Sequence, residues 1–227
     1  MPVTKQPKRV KSPRPLTNEV IAQAALSILH CEGPEAVSFR RVAEVVGTSH
    51  VTVYRYCGSY EGMLDVCADH IAAGFPEIAD DGDWTTATQM RFEAAYRMWS
   101  ENADLILLMR GRAWLGYNIV SRFYEPTMRA LVRSGLSVQD AARLFSALYR
   151  LTIGSVISTR ANQWTPWESR DAIERLGAAQ FPTLLQVSRE VDNSDVDALY
   201  RDTLERLIAG VSPKPAAETR RPRKKAG

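Results

Sequence analysis

Apolar residues in this chain recur three and four positions apart, and nowhere do they alternate over the length of a strand. Val20, Ile21, Ala24, Ala25, Ile28 and Leu29 form the first such face. Side chains at that spacing line one side of a helix, and a second apolar surface must cover them. The expected fold is therefore all-α. Thr17 or Asn18 supplies a cap at the first helix start, and Gly33-Pro34 stops it. A second helix begins after Ser38 and ends at Gly47, a third runs from Ser49 to about Tyr56, and a fourth from Ser59 to about Gly74. Helical segments follow at about 84–101, 104–113, 116–133, 137–163, 168–179 and 193–210, with Gly135, Thr165-Pro166 and Pro182 as breaks.

The stretch 75–83 loses the helical period and fills with turn residues, which marks a domain boundary. Four parts are expected: a basic arm over 1–16, a small helical domain over 17–74, a larger one over 75–211 and a basic tail over 212–227. The arm carries Lys5, Lys8, Arg9, Lys11 and Arg14 with no acid, and the tail carries six cations against Glu218. The net charge of +3 over 227 residues thus hides an acidic body between two cationic ends. Such ends suit a polyanion, and they equally suit solubilising tails. An apolar content of 45% suffices for a packed core. No apolar run nears the length of a membrane span, and the first residues lack the apolar stretch of an export signal. With only Cys31, Cys57 and Cys67, the cytoplasm is the expected compartment.

Two short helices joined at a glycine suggest a helix-turn-helix, whose second helix enters the major groove of DNA. Val42, Ala43, Val46 and Val53 are spaced to face inward, and small Ala43 lets the helices cross closely. Arg40, Arg41, Ser49, His50, Val51, Thr52, Arg55 and Tyr56 then point outward. Arginines suit guanine or phosphate, hydroxyls suit phosphate, and Val51 with the Thr52 methyl suits thymine methyls. A plain helical hairpin would share the turn, so the flanking residues carry the distinction.

Those flanks run from Leu16 to Leu26, through Gly33 and 37–43, to Val53-Tyr54 and Met63-Leu64. Over about 60 residues they resemble the TetR family of repressors. The resemblance implies a homodimer on double-stranded operator DNA of palindromic sequence, released when a small molecule enters the second domain. It implies that Ser38 caps the second helix and touches phosphate, that Arg40 enters the groove and that residues 49–52 read bases. Tyr54 would contact phosphate. Where the family commonly has a lysine at the start of the fourth helix, this chain has Tyr60, which brings a hydroxyl but no charge. The lysines of the arm are the candidate replacement.

Gly82-Asp-Trp84, the segment 103–112, Ser134-Gly-Leu-Ser137 and Phe181-Pro182 resemble the C-terminal domain of the tetracycline-repressor type. In that family two late helices dimerise. Here Ala141, Leu144, Phe145, Leu148, Leu151, Thr152, Ser155 and Val156 make one stripe, and Val196, Leu199, Tyr200, Thr203, Leu204, Leu207 and Ile208 another. Both stripes could also serve the monomer's own core. Trp99, Arg110, Trp114, Tyr117, Asn118, Phe145, Tyr149, Trp164 and Trp167 combine aromatic surface with a few polar groups, as an effector pocket requires. The same aromatics at helical spacing also suit simple packing. His30, His50 and His70 all precede the second domain, so it offers no imidazole to a tetracycline–magnesium inducer.

No cofactor or metal is expected. Cys67 and His70 sit one turn apart without matching partners, and Asp80-Asp81-Gly82-Asp83 lacks the spacing of a calcium loop. No nucleophile-elbow motif accompanies any serine, so an enzyme is not expected. The alternative to a ligand-released repressor is a dimeric DNA-binding regulator without an inducer, controlled by a protein partner or by abundance.

Overall fold

A computed structural model describes residues 15–79, 83–110, 112, 115–160, 170–177, 180–190 and 195–211. Most of the basic arm, the whole basic tail, Trp114, Trp164 and Trp167 lie outside these residues. The described residues contain helices and turns and no strand. The chain divides into two compact units, residues 1–67 and 68–227.

In the first unit α1 (Asn18–Glu32) is capped by Thr17, whose hydroxyl accepts from the Val20 N–H at 3.2 Å. After a 3₁₀ turn at Pro34–Ala36, α2 (Phe39–Val46) starts at Ser38, which accepts from the Arg41 N–H at 3.2 Å. Gly47 ends it in the left-handed region at φ 75°, a backbone that a side chain would strain. Ser49 then caps α3 (His50–Cys57) by accepting from the Thr52 N–H at 3.1 Å. Each serine cap satisfies an otherwise orphaned donor and contributes about 1 kcal/mol. The helices close on Ile21, Ala22, Val42, Val53 and Met63, all fully buried. Ala43 is buried between α2 and its neighbours as its small size predicts, while Val46, expected inside, is only half-buried.

The compact units divide after Cys67, within α4 (Tyr60–Ala72). The reason lies beyond Cys67. The Asp69 carboxylate accepts from the backbone N–H of Asn118 at 2.8 Å and from its side-chain amide at 3.0 Å. Phe75 is buried against Phe123, with ring centroids 5.2 Å apart.

The second unit is built on α5 (Trp84–Ser100), α9 (Val138–Arg160) and α12 (Val196–Ala209). α6 (Ala103–Leu108) and α8 (Glu125–Arg133) pack on α5 and α9, α10 (Arg170–Gly177) packs on α11 (Pro182–Glu190), and α7 (Tyr117–Ile119) precedes the turn into α8. Asp83 caps α5 by accepting from the N–H groups of Thr85 and Thr86. The helix expected to reach 113 stops at Leu108, because Arg110 adopts φ 52° and turns the chain out of the helix. The segment expected as one helix over 116–133 contains a π turn at Val120–Tyr124. Pro126 explains it: the ring has no N–H for the Arg122 carbonyl and would press on it, and the wider turn makes room. α11 was not expected, since Pro182 reads as a break. It is instead the first residue of the helix, where its missing N–H costs nothing and its fixed φ is already helical.

The two apolar stripes divide their work. Ala141, Leu144, Leu148, Thr152 and Val156 on α9, with Tyr200, Leu204 and Ile208 on α12, are buried within the unit. Val196, Leu199 and Leu207 remain exposed, by 41%, 52% and 37%. Tyr200 ties the three main helices: its hydroxyl donates to the Phe92 carbonyl at 3.0 Å and lies 2.8 Å from Thr152 Oγ1. Its ring stacks on Tyr96, with centroids 4.1 Å apart, and Tyr96 donates to the Asp197 carboxylate at 2.9 Å.

Candidate nucleic-acid interface and effector cavity

Helix α3 buries only Val53. Val51, Tyr54 and Tyr56 are exposed by 54%, 53% and 48%, and Ser49, His50 and Arg55 lie open beside them. A helix so short with that much apolar and aromatic surface in water is built to be covered by something. Thr52 is half-buried, its hydroxyl 2.9 Å from that of Ser49. The Tyr54 ring stands edge-on to Phe39 at 5.7 Å, which fixes its direction while leaving it exposed. Tyr56, expected to face outward, does so but is also engaged: its hydroxyl donates to the Leu16 carbonyl at 2.9 Å. That bond holds the chain just before α1 against α3. Ser38 is half-buried at its capping position, and Tyr60 is half-buried at the start of α4.

The two arginines of α2 differ. Arg40 is exposed, while Arg41 forms a fork with Glu32 at the end of α1, with Nε 2.9 Å from Oε2 and Nη2 2.8 Å from Oε1. Hydrogen bonding to Glu32 raises the Arg41 pKa, and the same bond holds the Glu32 carboxyl below its ordinary value. Arg41 was expected to point outward; it is half-buried and bridges α1 and α2. Helical spacing gave no warning, because Glu32 lies nine residues earlier across a turn.

In the second unit a cavity of about 330 Å³ is lined by Phe145, Ser146, Tyr149, Arg150 and Ile153 of α9. The Phe145 and Tyr149 rings stack with an interplanar angle of 14°, and Tyr124 meets both edge-on at 5.7 and 6.1 Å. Burial pushes the hydroxyl pKa values of Tyr124 and Tyr149 up, so both remain protonated donors.

Of the expected pocket residues, Phe145 and Tyr149 are thus brought together. Trp99 is 1% exposed in the core of the unit. Asn118 is bound to Asp69, both by its backbone N–H and by its amide. Tyr117 is 82% exposed and Arg110 is exposed at its left-handed turn, so neither lines this cavity. Trp114 and Trp164 lie outside the described residues. Ser146, Arg150 and Ile153 were missed, although each follows from the helical period once Phe145 and Tyr149 define the face. Tyr124, in the π turn, packs edge-on against these two rings, a contact the helical period alone did not indicate.

Among the described residues no cluster of three or more His, Cys, Asp or Glu is arranged to hold a metal ion. No helix among them is long and apolar enough to cross a membrane.

Residues 21–67 match the family described as "Bacterial regulatory proteins, tetR family", and residues 75–214 match "Tetracyclin repressor-like, C-terminal domain". The chain is 30% identical to the HTH-type transcriptional repressor DrrR1 of Streptomyces coeruleorubidus, covering 88% of this chain and 79% of that protein. It is 24% identical to the class D tetracycline repressor protein of Escherichia coli, covering 86% and 88%. The solved structure of apo ActR from Streptomyces coelicolor superposes with a TM-score of 0.75 at 27% identity, covering 88% of this chain and 96% of that one. ActR in complex with actinorhodin superposes with a TM-score of 0.72 at 29% identity, covering 87% and 97%. The exposed reading helix, the separate all-helical unit and these likenesses lead to one conclusion: the chain belongs to the tetR family of bacterial regulatory proteins, as a DNA-binding transcriptional repressor with a tetracycline-repressor-like C-terminal domain.

Proposed function

We propose that this repressor reads a palindromic operator as a homodimer and releases it when an aromatic, oxygen-bearing molecule occupies the cavity against α9. The observation that carries the DNA half is the open face of α3, where Ser49, His50, Val51, Tyr54 and Arg55 are all exposed around a single buried valine. Arg40 and Thr52 complete the base-reading set, and Ser38 supplies a hydroxyl to phosphate. The arm over 1–16 adds cationic charge along the backbone, in place of the lysine that Tyr60 does not provide. Tyr56 is bonded to Leu16, the last residue of the arm.

The effector half rests on the stacked Phe145 and Tyr149 rings and on Arg150 around about 330 Å³, with the Tyr124 ring edge-on behind both aromatics. Aromatic walls favour a flat ring system, and the Tyr149 phenol and the guanidinium favour carbonyl, hydroxyl or acidic groups on its edge. ActR, similar over most of this chain, has been solved with actinorhodin and with (S)-DNPA, which supports this ligand class. Dimerisation is assigned to the exposed Val196, Leu199 and Leu207 of α12 together with the neighbouring groove of α9, in the cytoplasm.

Gel mobility shift on DNA flanking the protein's own gene tests the reading. Salt-sensitive, sequence-specific retardation is expected, weakened by actinorhodin used as the probe effector. Equal retardation of a shuffled duplex would refute the operator assignment, and unchanged retardation with actinorhodin would refute this ligand class.

A further inference from the structure

Helix α2 carries two arginines and one acid that serves both. Arg40 Nε lies 3.3 Å from Glu44 Oε1 one turn on, and Arg41 Nη1 lies 3.1 Å from Glu44 Oε2. With Glu32 the group holds two cations and two anions. The two arginines are nevertheless held very differently. Arg41 is gripped by the Glu32 fork as well as by Glu44. Arg40 has a single contact to Glu44, and its side chain is 88% exposed while that of Glu44 is 49% exposed. Arg40 is tethered by its acid, not locked to it, because an exposed pair of this kind is weak and screened by salt.

We infer that Glu44 is a specificity-determining residue of the reader: it keeps Arg40 from binding phosphate indiscriminately and yields it where a base edge offers two acceptors. The inference rests on the assignment of Arg40 to the operator. On arbitrary DNA, Arg40 exchanges one carboxylate partner for one phosphate, a swap of like for like with little gain. It therefore stays with Glu44, and the non-specific complex lacks one phosphate contact. On the operator the planar guanidinium gains two hydrogen bonds to a guanine edge, a geometry that a single carboxylate contact does not match. The tether breaks there and its cost is small. Any repulsion between Glu44 and the DNA acts in both complexes and cancels from their ratio. The competition for Arg40 does not cancel.

The test measures the affinity and salt dependence of Glu44→Gln on two duplexes. One is selected by the wild-type protein from a random pool, and the other has the same composition in shuffled order. Affinity for the shuffled duplex is expected to rise about fivefold, with a log–log salt slope steeper by about one unit, as for one added phosphate contact. Affinity for the selected duplex is expected to change less than about twofold, so discrimination narrows. Glu174→Gln, on an exposed site of α10, changes the net charge equally and is expected to leave discrimination intact. Glu44→Gln is isosteric at an exposed site, and a matching thermal melt verifies its fold. In an Arg40→Ala background the effect of Glu44→Gln is expected to vanish.

Equal changes on both duplexes, or none, would overturn the inference. So would a larger loss on the selected duplex, which would make Glu44 itself a base reader. Arg40→Ala separates the two layers. If it weakens the selected duplex while Glu44→Gln leaves discrimination unchanged, only the role of Glu44 falls. If it weakens neither duplex, the assignment of Arg40 falls and takes the inference with it.

Discussion

The two units of this repressor are held together by different kinds of contact. In the first, the three helices of the reader start on side-chain caps three residues from their targets, at Thr17, Ser38 and Ser49, and end at glycines with positive φ. In the second, the decisive contacts join residues far apart in sequence. Tyr200 reaches the Phe92 carbonyl 108 positions away, Tyr96 reaches Asp197 across 101, and Asn118 reaches Asp69 across 49. A reader must present one rigid helix with fixed side-chain directions, and local capping achieves that with few residues. The second unit instead builds its core from helices brought together from many parts of the chain.

If that contrast is right, the largest loss should follow from cutting the long-range aromatic core. Phe92 is fully buried against Phe123 and Phe145, with ring centroids 5.2 and 5.6 Å away. Phe92→Ala is expected to cost about 3–5 kcal/mol in urea unfolding. A cost under about 1 kcal/mol would mean that the sensor does not depend on this cluster.

A methyl at Gly116 would collide with the Asp69 carboxylate. Gly116→Ala should therefore disrupt the bonds from Asp69 to Asn118, at about 1–3 kcal/mol by the same assay. An unchanged melting temperature would show that this long-range latch gives way easily.

Cys67 tests the reader from another direction. Burial, with Cys57 nearby, pushes its thiol up to about 12, while an unfolded thiol ionises near about 8.5. Between these values the unfolded state binds fewer protons than the folded one, so stability falls as pH rises. The slope approaches about 1.4 kcal/mol per pH unit and ends once both states are ionised. Unfolding at pH 8, 9 and 10 should show this decline, and Cys67→Ala should flatten it. An identical slope in the variant would assign the decline elsewhere.

The smallest effect is expected at the caps. Ser38→Ala should cost about 1 kcal/mol and Ser38→Asp much less, since aspartate also accepts from the first-turn N–H. A loss as large as that of Phe92→Ala would erase the distinction between local and long-range support.

Legibility in the sequence follows the same line. Thr17, Ser38, Gly47 and Ser49 act within three or four residues, so their roles can be read without knowing the fold. The exposed face of α3 was equally legible, because one buried valine and the helical period determine which side chains point away. The ion pair of Arg41 was not legible because its partner Glu32 sits on another helix. Of the residues expected in a pocket, Phe145 and Tyr149 line the cavity on α9, whereas Asn118, Tyr117 and Trp99 carry the same residue-type signature and ended in a latch, in solvent and in the core. Residue type shows what a side chain is able to bind, not which neighbours reach it.

By itself the sequence determined that the chain is helical, where the reader's helices start and stop, and which face of α3 is open, because capping and periodicity act over a few bonds. The tertiary structure alone decided that Tyr124, in the π turn before Pro126, meets the Phe145 and Tyr149 rings and that the apolar stripes split between core and surface. It also decided that Arg41, gripped by Glu32 of α1, is less free than Arg40. These depend on which helices meet, and that is settled by the burial of the whole chain at once.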